Sequence, residues 1–110
     1  MRENTLTLVM ILYNITFGID KEIELEWVLW MKETHIPEVL STGVFTGHKF
    51  YKVLSHEVEG TSSYCIQYFT PSIVHFNQYL ETFAPRFLEE LRHRFRDRHV
   101  AFNTLLEEVE

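Results

Sequence analysis

An α+β domain in the order β-α-β-β-α-β, with one four-stranded antiparallel sheet carrying two helices on one face, is the fold this sequence predicts. Three observations predict it. Ile11, Tyr13, Ile15, Phe17 and Ile19 alternate with Leu12, Asn14, Thr16 and Gly18, which marks a strand over residues 10–19 with one strongly apolar face. Ile23, Trp27, Trp30 and Met31 recur on one face of a helix. Ile73, Phe76, Leu80, Phe83, Ala84, Phe87, Leu88, Leu91 and Phe95 fall within an arc of about 140° on a second, longer helix. A chain of 110 residues is one domain, large enough to bury one core. Each helix has a single apolar stripe to hide, so both are expected on the same side of the sheet.

After the first strand, Asp20 is a natural N-cap and Glu22 sits in the first turn, where an anion is favoured. The first helix is expected to run to about Thr34. Ile36 precedes a proline and is pushed towards extended geometry. Pro37 then opens a short second helical turn, closed by Gly43. Residues 45–56 and 63–69 return to the extended pattern, with residues 57–62 as a hairpin loop. Thr70 and Pro71 supply an N-cap and a proline at the first helical position. The long second helix runs to Phe95. Pro85 lies outside its apolar arc, where the carbonyl it orphans at Glu81 is hydrated and a kink is tolerated. A final strand, His99 to about Leu106, leads into an acidic tail.

The sheet's second face is expected to carry Leu12, Asn14, Thr16, Cys65, Gln67, Ala101, Asn103 and Leu105, with His48 as a further candidate. That mixture is too apolar for water and too polar for a core. It fits a sheet that packs against a copy of itself, which predicts a homodimer through the open sheet face and a two-sheet barrel across it. Leu25 and Leu29, on the outer side of the first helix, also lack a partner within one chain.

Composition excludes several classes. The net charge of −6 argues against a nucleic-acid partner. The local run of Arg92, Arg94, Arg96 and Arg98 is diluted by Glu89, Glu90 and Asp97 and complements the end of a helix. The stretch Leu8–Tyr13 is far short of the ~20 apolar residues of a membrane helix, and neither a membrane span nor an export signal is read. The lone Cys65 permits no internal disulfide and suits a cytoplasmic location. The Asn14-Ile15-Thr16 sequon is then fortuitous. The six histidines form no HxxxH or HxH pair, and no glycine-rich phosphate loop, nucleophile elbow or CxxC is present. No metal and no cofactor are expected.

Met10-Ile11-Leu12-Tyr13-Asn14, Glu26-Trp27, Trp30-Met31-Lys32, His35-Ile36-Pro37-Glu38-Val39-Leu40 and Gln67-Tyr68-Phe69 resemble an uncharacterised bacterial family, a domain of unknown function. Ala84-Pro85-Arg86 and Ala101-Phe102 continue the resemblance, which covers residues 10–110. It implies a ferredoxin-like protomer of the dimeric α+β barrel type and supplies no activity. It also implies that residues 1–9 are an N-terminal extension, or an upstream start with Met10 the usual beginning, and in either case the first few residues are expected to be poorly ordered.

Four residues are candidates for ligand binding: His35, Trp27, Asn14 and Gln67. His35 lies one turn beyond Met31 at the edge of the buried stripe. Its ring either closes the helix on a free carbonyl or lines a pocket between helix and sheet, where its ordinary pKa near 6.5 suits proton transfer. Trp27 reads first as core, but its indole N–H needs a partner that an amphipathic pocket would supply. Asn14 and Gln67 are mid-strand amides that either bond across strands or protomers, or orient a ligand. Three functions fit: a dimeric binding module for an apolar or aromatic small molecule, a cofactor-independent enzyme of monooxygenase or isomerase type using a helix–sheet cleft, or a structural interaction protein. The first is favoured, because the sequence offers His35 no assured carboxylate partner.

Overall fold

A computed structural model describes residues 9–110. The expectation of a poorly ordered N-terminal extension falls on residues that lie, Val9 apart, outside the described ones. Strand β1 (Ile11–Asp20) leads through a 3-10 turn (Lys21–Ile23) into α1 (Glu24–Trp30), a π turn (Met31–His35) and α2 (Ile36–Leu40). Strands β2 (Gly47–Val58) and β3 (Thr61–Thr70) form a hairpin, α3 (Ile73–Thr82) and α4 (Ala84–Phe95) follow, and a 3-10 turn (Arg96–Arg98) delivers the chain into β4 (His99–Glu107). The sheet order is β2-β3-β1-β4, with every neighbouring pair antiparallel. The two-layer β-α-β-β-α-β architecture is therefore as expected, and its thinnest dimension, 19 Å, is that of one sheet and one helix layer.

Three local expectations are corrected. The first helix does not end before His35: residues 21–40 are helical throughout, and Ile36 is right-handed (φ −61°, ψ −45°) despite preceding a proline. The helix widens there instead. The Ile36 N–H donates to the carbonyl of Met31, five residues back, and this wider turn accommodates Pro37, which has no N–H and would crowd a regular turn. It also lets His35 and Ile36, neighbours in sequence, both be buried.

The second correction concerns the long helix, which is divided at Phe83 (φ −109°) with Pro85 in the first turn of α4, a position that needs no N–H. The break shifts the helical phase, so Tyr79 is buried while Leu80, Ile73 and Leu88 are exposed. Its N-cap is Ser72, whose Oγ accepts from the His75 N–H at 3.1 Å, rather than Thr70.

The third correction is the parity of two strands. Register pairs Asn103 with Ile15, Ala101 with Phe17 and Leu105 with Tyr13, so all three face the helices. His48 pairs with the inward Tyr68 and does the same. The outer face of β4 carries Val100, Phe102, Thr104 and Leu106. Strand parity can be read only where one face alternates clearly, and Val-Ala-Phe-Asn-Thr-Leu-Leu does not.

The core lies between the sheet and the helices. Phe17, Ile19, Trp27, Met31, Ile66, Tyr68 and Phe76 are buried in it. Trp27 meets Phe17 edge-on at 5.1 Å and lies against Tyr64 at 5.2 Å and Phe50 at 5.9 Å, which locks α1 over the sheet centre. At the start of α1 the Glu24 carboxylate accepts from the Ser62 and Tyr64 hydroxyls and pairs with Lys52 at 3.2 Å. Those donors hold its carboxyl below the usual range.

Candidate functional site

The helices do not reach across the whole sheet. β4 is an edge strand, and its helix-facing residues beyond His99 stay exposed. The gap is a cleft of about 240 Å³ between β4, β1 and α4. Tyr13, Ile15 and Phe17 of β1 form its floor, and His99, Ala101 and Asn103 line it from β4. Ala84, Phe87, Leu88, Leu91 and Arg92 recur along α4 with helical periodicity and form its wall. Tyr79 and His35 complete it.

His35 is the sequence-predicted residue that this cleft receives. Only 3% exposed, its ring stacks on Trp30 (5.3 Å, 27° between planes) and meets Phe87 edge-on at 5.8 Å. Nδ1 has no hydrogen-bond partner among the described residues. Burial lowers the ring's pKa to about 4, so it is neutral at physiological pH, a donor at one nitrogen and an acceptor at the other. It does not close a helix, because the helix continues through it. The other histidine of the cleft, His99, is likewise pushed down by burial, and its Nδ1 also lacks a partner. Burial raises Tyr13 and Tyr79 above the ordinary phenol value, which keeps both hydroxyls protonated and able to donate.

The other three candidates lie elsewhere. Trp27 is fully buried in the core and does not line the cleft, and its Nε1 has no partner among the described residues. Asn14 and Gln67 face each other across β1 and β3 on the opposite side of the sheet. There Cys65 Sγ donates to Asn14 Oδ1 at 2.7 Å, and the Asn14 amide reaches Thr16 Oγ1 at 3.4 Å. The Cys65 thiol is pushed up by burial, with the Gln67 amide acting the other way. The two faces thus divide the four residues. Tyr13, His99 and Asn103 were legible only as strand residues, and Arg92 only as part of a basic helix end; nothing in their spacing announces a shared cavity.

Among the described residues no group of three His, Cys, Asp or Glu side chains is placed to hold a metal ion, and no helix is long and apolar enough to cross a membrane.

Solved structures place this architecture in a class. An ethyl tert-butyl ether D (EthD) family protein from Bacillus halodurans is similar over 90% of this chain and 99% of its own, with a TM-score of 0.69 at 10% identity. A dimeric ferredoxin-like protein from an uncultured marine organism is similar over 93% and 97%, with a TM-score of 0.59 at 14% identity. SnoaB of Streptomyces nogalater, a cofactor-independent oxygenase, is similar over 92% and 94%, with a TM-score of 0.60 at 14% identity. At these identities the likeness establishes the fold: a ferredoxin-like α+β protein of the type found in dimeric barrels. No functionally curated protein matches the sequence. The chain belongs to the family described as a domain of unknown function, DUF4286, whose model matches residues 10–109.

Proposed function

We propose that this protein is a homodimeric binding module that holds an apolar, aromatic small molecule in the cleft between α4 and the edge strand β4. The cleft beside His35 carries the reading: about 240 Å³ of space walled by aromatic and aliphatic side chains, with a few polar residues in its lining. A dry apolar cavity of roughly 150 Å³ is enough for benzene, so a two-ring aromatic is the natural size here. The neutral His35 ring, which borders the cleft, orients the ligand, while Trp27 holds the helix that carries it. Asn14 and Gln67 serve the second half of the proposal. They lie on an outer sheet face whose Tyr51, Val100, Phe102 and Leu106 are exposed together, a patch that packs against the same patch of a second protomer.

Titration with 2-naphthol, read by its fluorescence, tests the cleft. One saturable site per chain is expected, lost in Ala101→Phe, which fills the cleft from an exposed position without emptying the core. Absence of binding, or binding indifferent to that substitution, would overturn the reading. A stable monomer at micromolar concentration in sedimentation would overturn the dimer.

One observation supports a second reading, a cofactor-independent enzyme. His35 and His99 border the same cleft, so two titratable rings converge where a substrate would lie. Turnover of a bound phenol, followed by oxygen uptake and product analysis and abolished by His99→Phe, would decide for it.

A further inference from the structure

The cleft differs from the rest of the molecule in charge. The chain carries 16 acidic and 10 Lys and Arg residues, yet no carboxylate lines this cavity, whose polar side chains come from tyrosine, histidine, asparagine and Arg92. The topology separates them into two ends. Because α4 turns directly into β4 through residues 96–98, Arg92 in the last turn of α4 and His99 at the start of β4 share one end. Asn103, four residues further along β4, shares the other with Tyr13 and Tyr79. Between the ends lie rings and aliphatic groups.

Arg92 is available. Its described ion-pair partner is Glu89 at 3.2 Å, with side chains 67% and 72% exposed, the kind of solvent-screened pair that a better-placed anion readily replaces. Its neighbours are already engaged: Arg94 lies over the Trp30 ring and 3.7 Å from Glu26, and Arg98 binds Asp20 and Glu22. The carbonyls ending α4 oppose an anion here, but the Arg92 guanidinium, a full charge that also donates hydrogen bonds, outweighs that partial charge. An ammonium group would meet the guanidinium, and the cavity lining, which Glu89 does not join, holds no carboxylate to replace its lost water.

Resting on the cleft as the binding site, we infer that its ligand is an aromatic carboxylate: a flat apolar body with one anionic head at the Arg92–His99 end and a neutral hydrogen-bonding edge towards Asn103. Three probes with one ring system separate the alternatives: 2-naphthoate, 2-naphthalenemethanol and 2-naphthylmethylammonium, titrated calorimetrically into the full chain at neutral pH. The naphthoate is expected to bind about ten-fold or more tighter than the alcohol, in line with a charge-assisted hydrogen bond, and the ammonium weakest. Arg92→Gln should collapse the difference between acid and alcohol, and Arg92→Lys should restore part of it. Equal affinity for acid and alcohol, or a preference untouched by Arg92→Gln, would overturn the ligand class. The cleft would survive that result provided Ala101→Phe still removed alcohol binding. If no probe bound, or Ala101→Phe changed nothing, the cleft would fall and the ligand class with it.

Discussion

The two faces of the one sheet obey different rules. On the helix side, Ile11, Tyr13, Phe17 and Ile19 of β1 are buried beneath aromatic side chains from α1, α3 and α4. On the other side, the same strand offers Leu12, Asn14, Thr16 and Gly18, and the other three strands add Tyr51, Cys65, Gln67 and Phe102, with no layer above them among the described residues. The covered face makes a protomer; the bare face has the composition of a surface that needs company. Between the two regimes, where the helices stop short of β4, lies the cleft. On the reading proposed above, a two-layer fold separates stability, association and ligand space onto three regions of the same four strands.

The sharpest way to break this comparison is to empty the covered face. Phe17→Ala, at a side chain 1% exposed, should cost about 3–5 kcal/mol in denaturant unfolding. A loss no larger than that of a surface substitution would show that the core does not lie where the packing puts it. Acid should act next most strongly. The unfolded chain protonates a histidine near pH 6.5, whereas the buried His35 resists until about pH 4, so its contribution is present above 6.5 and lost as pH falls through that window. The loss should reach about 3 kcal/mol, and His35→Gln should flatten the stability profile between those limits. His99, also depressed, adds to it in the same direction.

On the bare face, Val100→Asp, at an outward side chain 71% exposed, should leave helix content unchanged while weakening the dimer about 100-fold, since both protomers carry the change. Unchanged sedimentation would move the interface elsewhere, with the exposed Leu25 and Leu29 next in line. The smallest effect belongs to neither face. Ser72→Ala removes a helix cap and should cost about 1 kcal/mol with ligand binding intact.

Much of this was legible in the residues. The alternation of β1 and the stripe of α1 determined the layers, because each buries one unambiguous face. The β4 parity was not, since an edge strand exposed on both sides carries no alternation to read. The π turn was equally silent: Ile36-Pro37 looks like a break, and only packing of Ile36 and Val39 into the core keeps the helix going. Of the candidate site, His35 could be found by its place at the margin of an apolar stripe. Its cleft partners come from β1, α3, α4 and β4, and no local spacing connects them.

The widened turn at Met31–His35 stores one residue more than a regular spiral would hold. Excising a single exposed position there, such as Glu33, would remove that surplus residue and rewind the turn to a regular α-helix, keeping everything beyond it in phase. Ile36 and Val39 would stay in the interior, and the change would fall on Pro37, whose ring a regular turn crowds. A length change of one amino acid, which in an uninterrupted helix turns all that follows by about 100°, would here be absorbed where it is made.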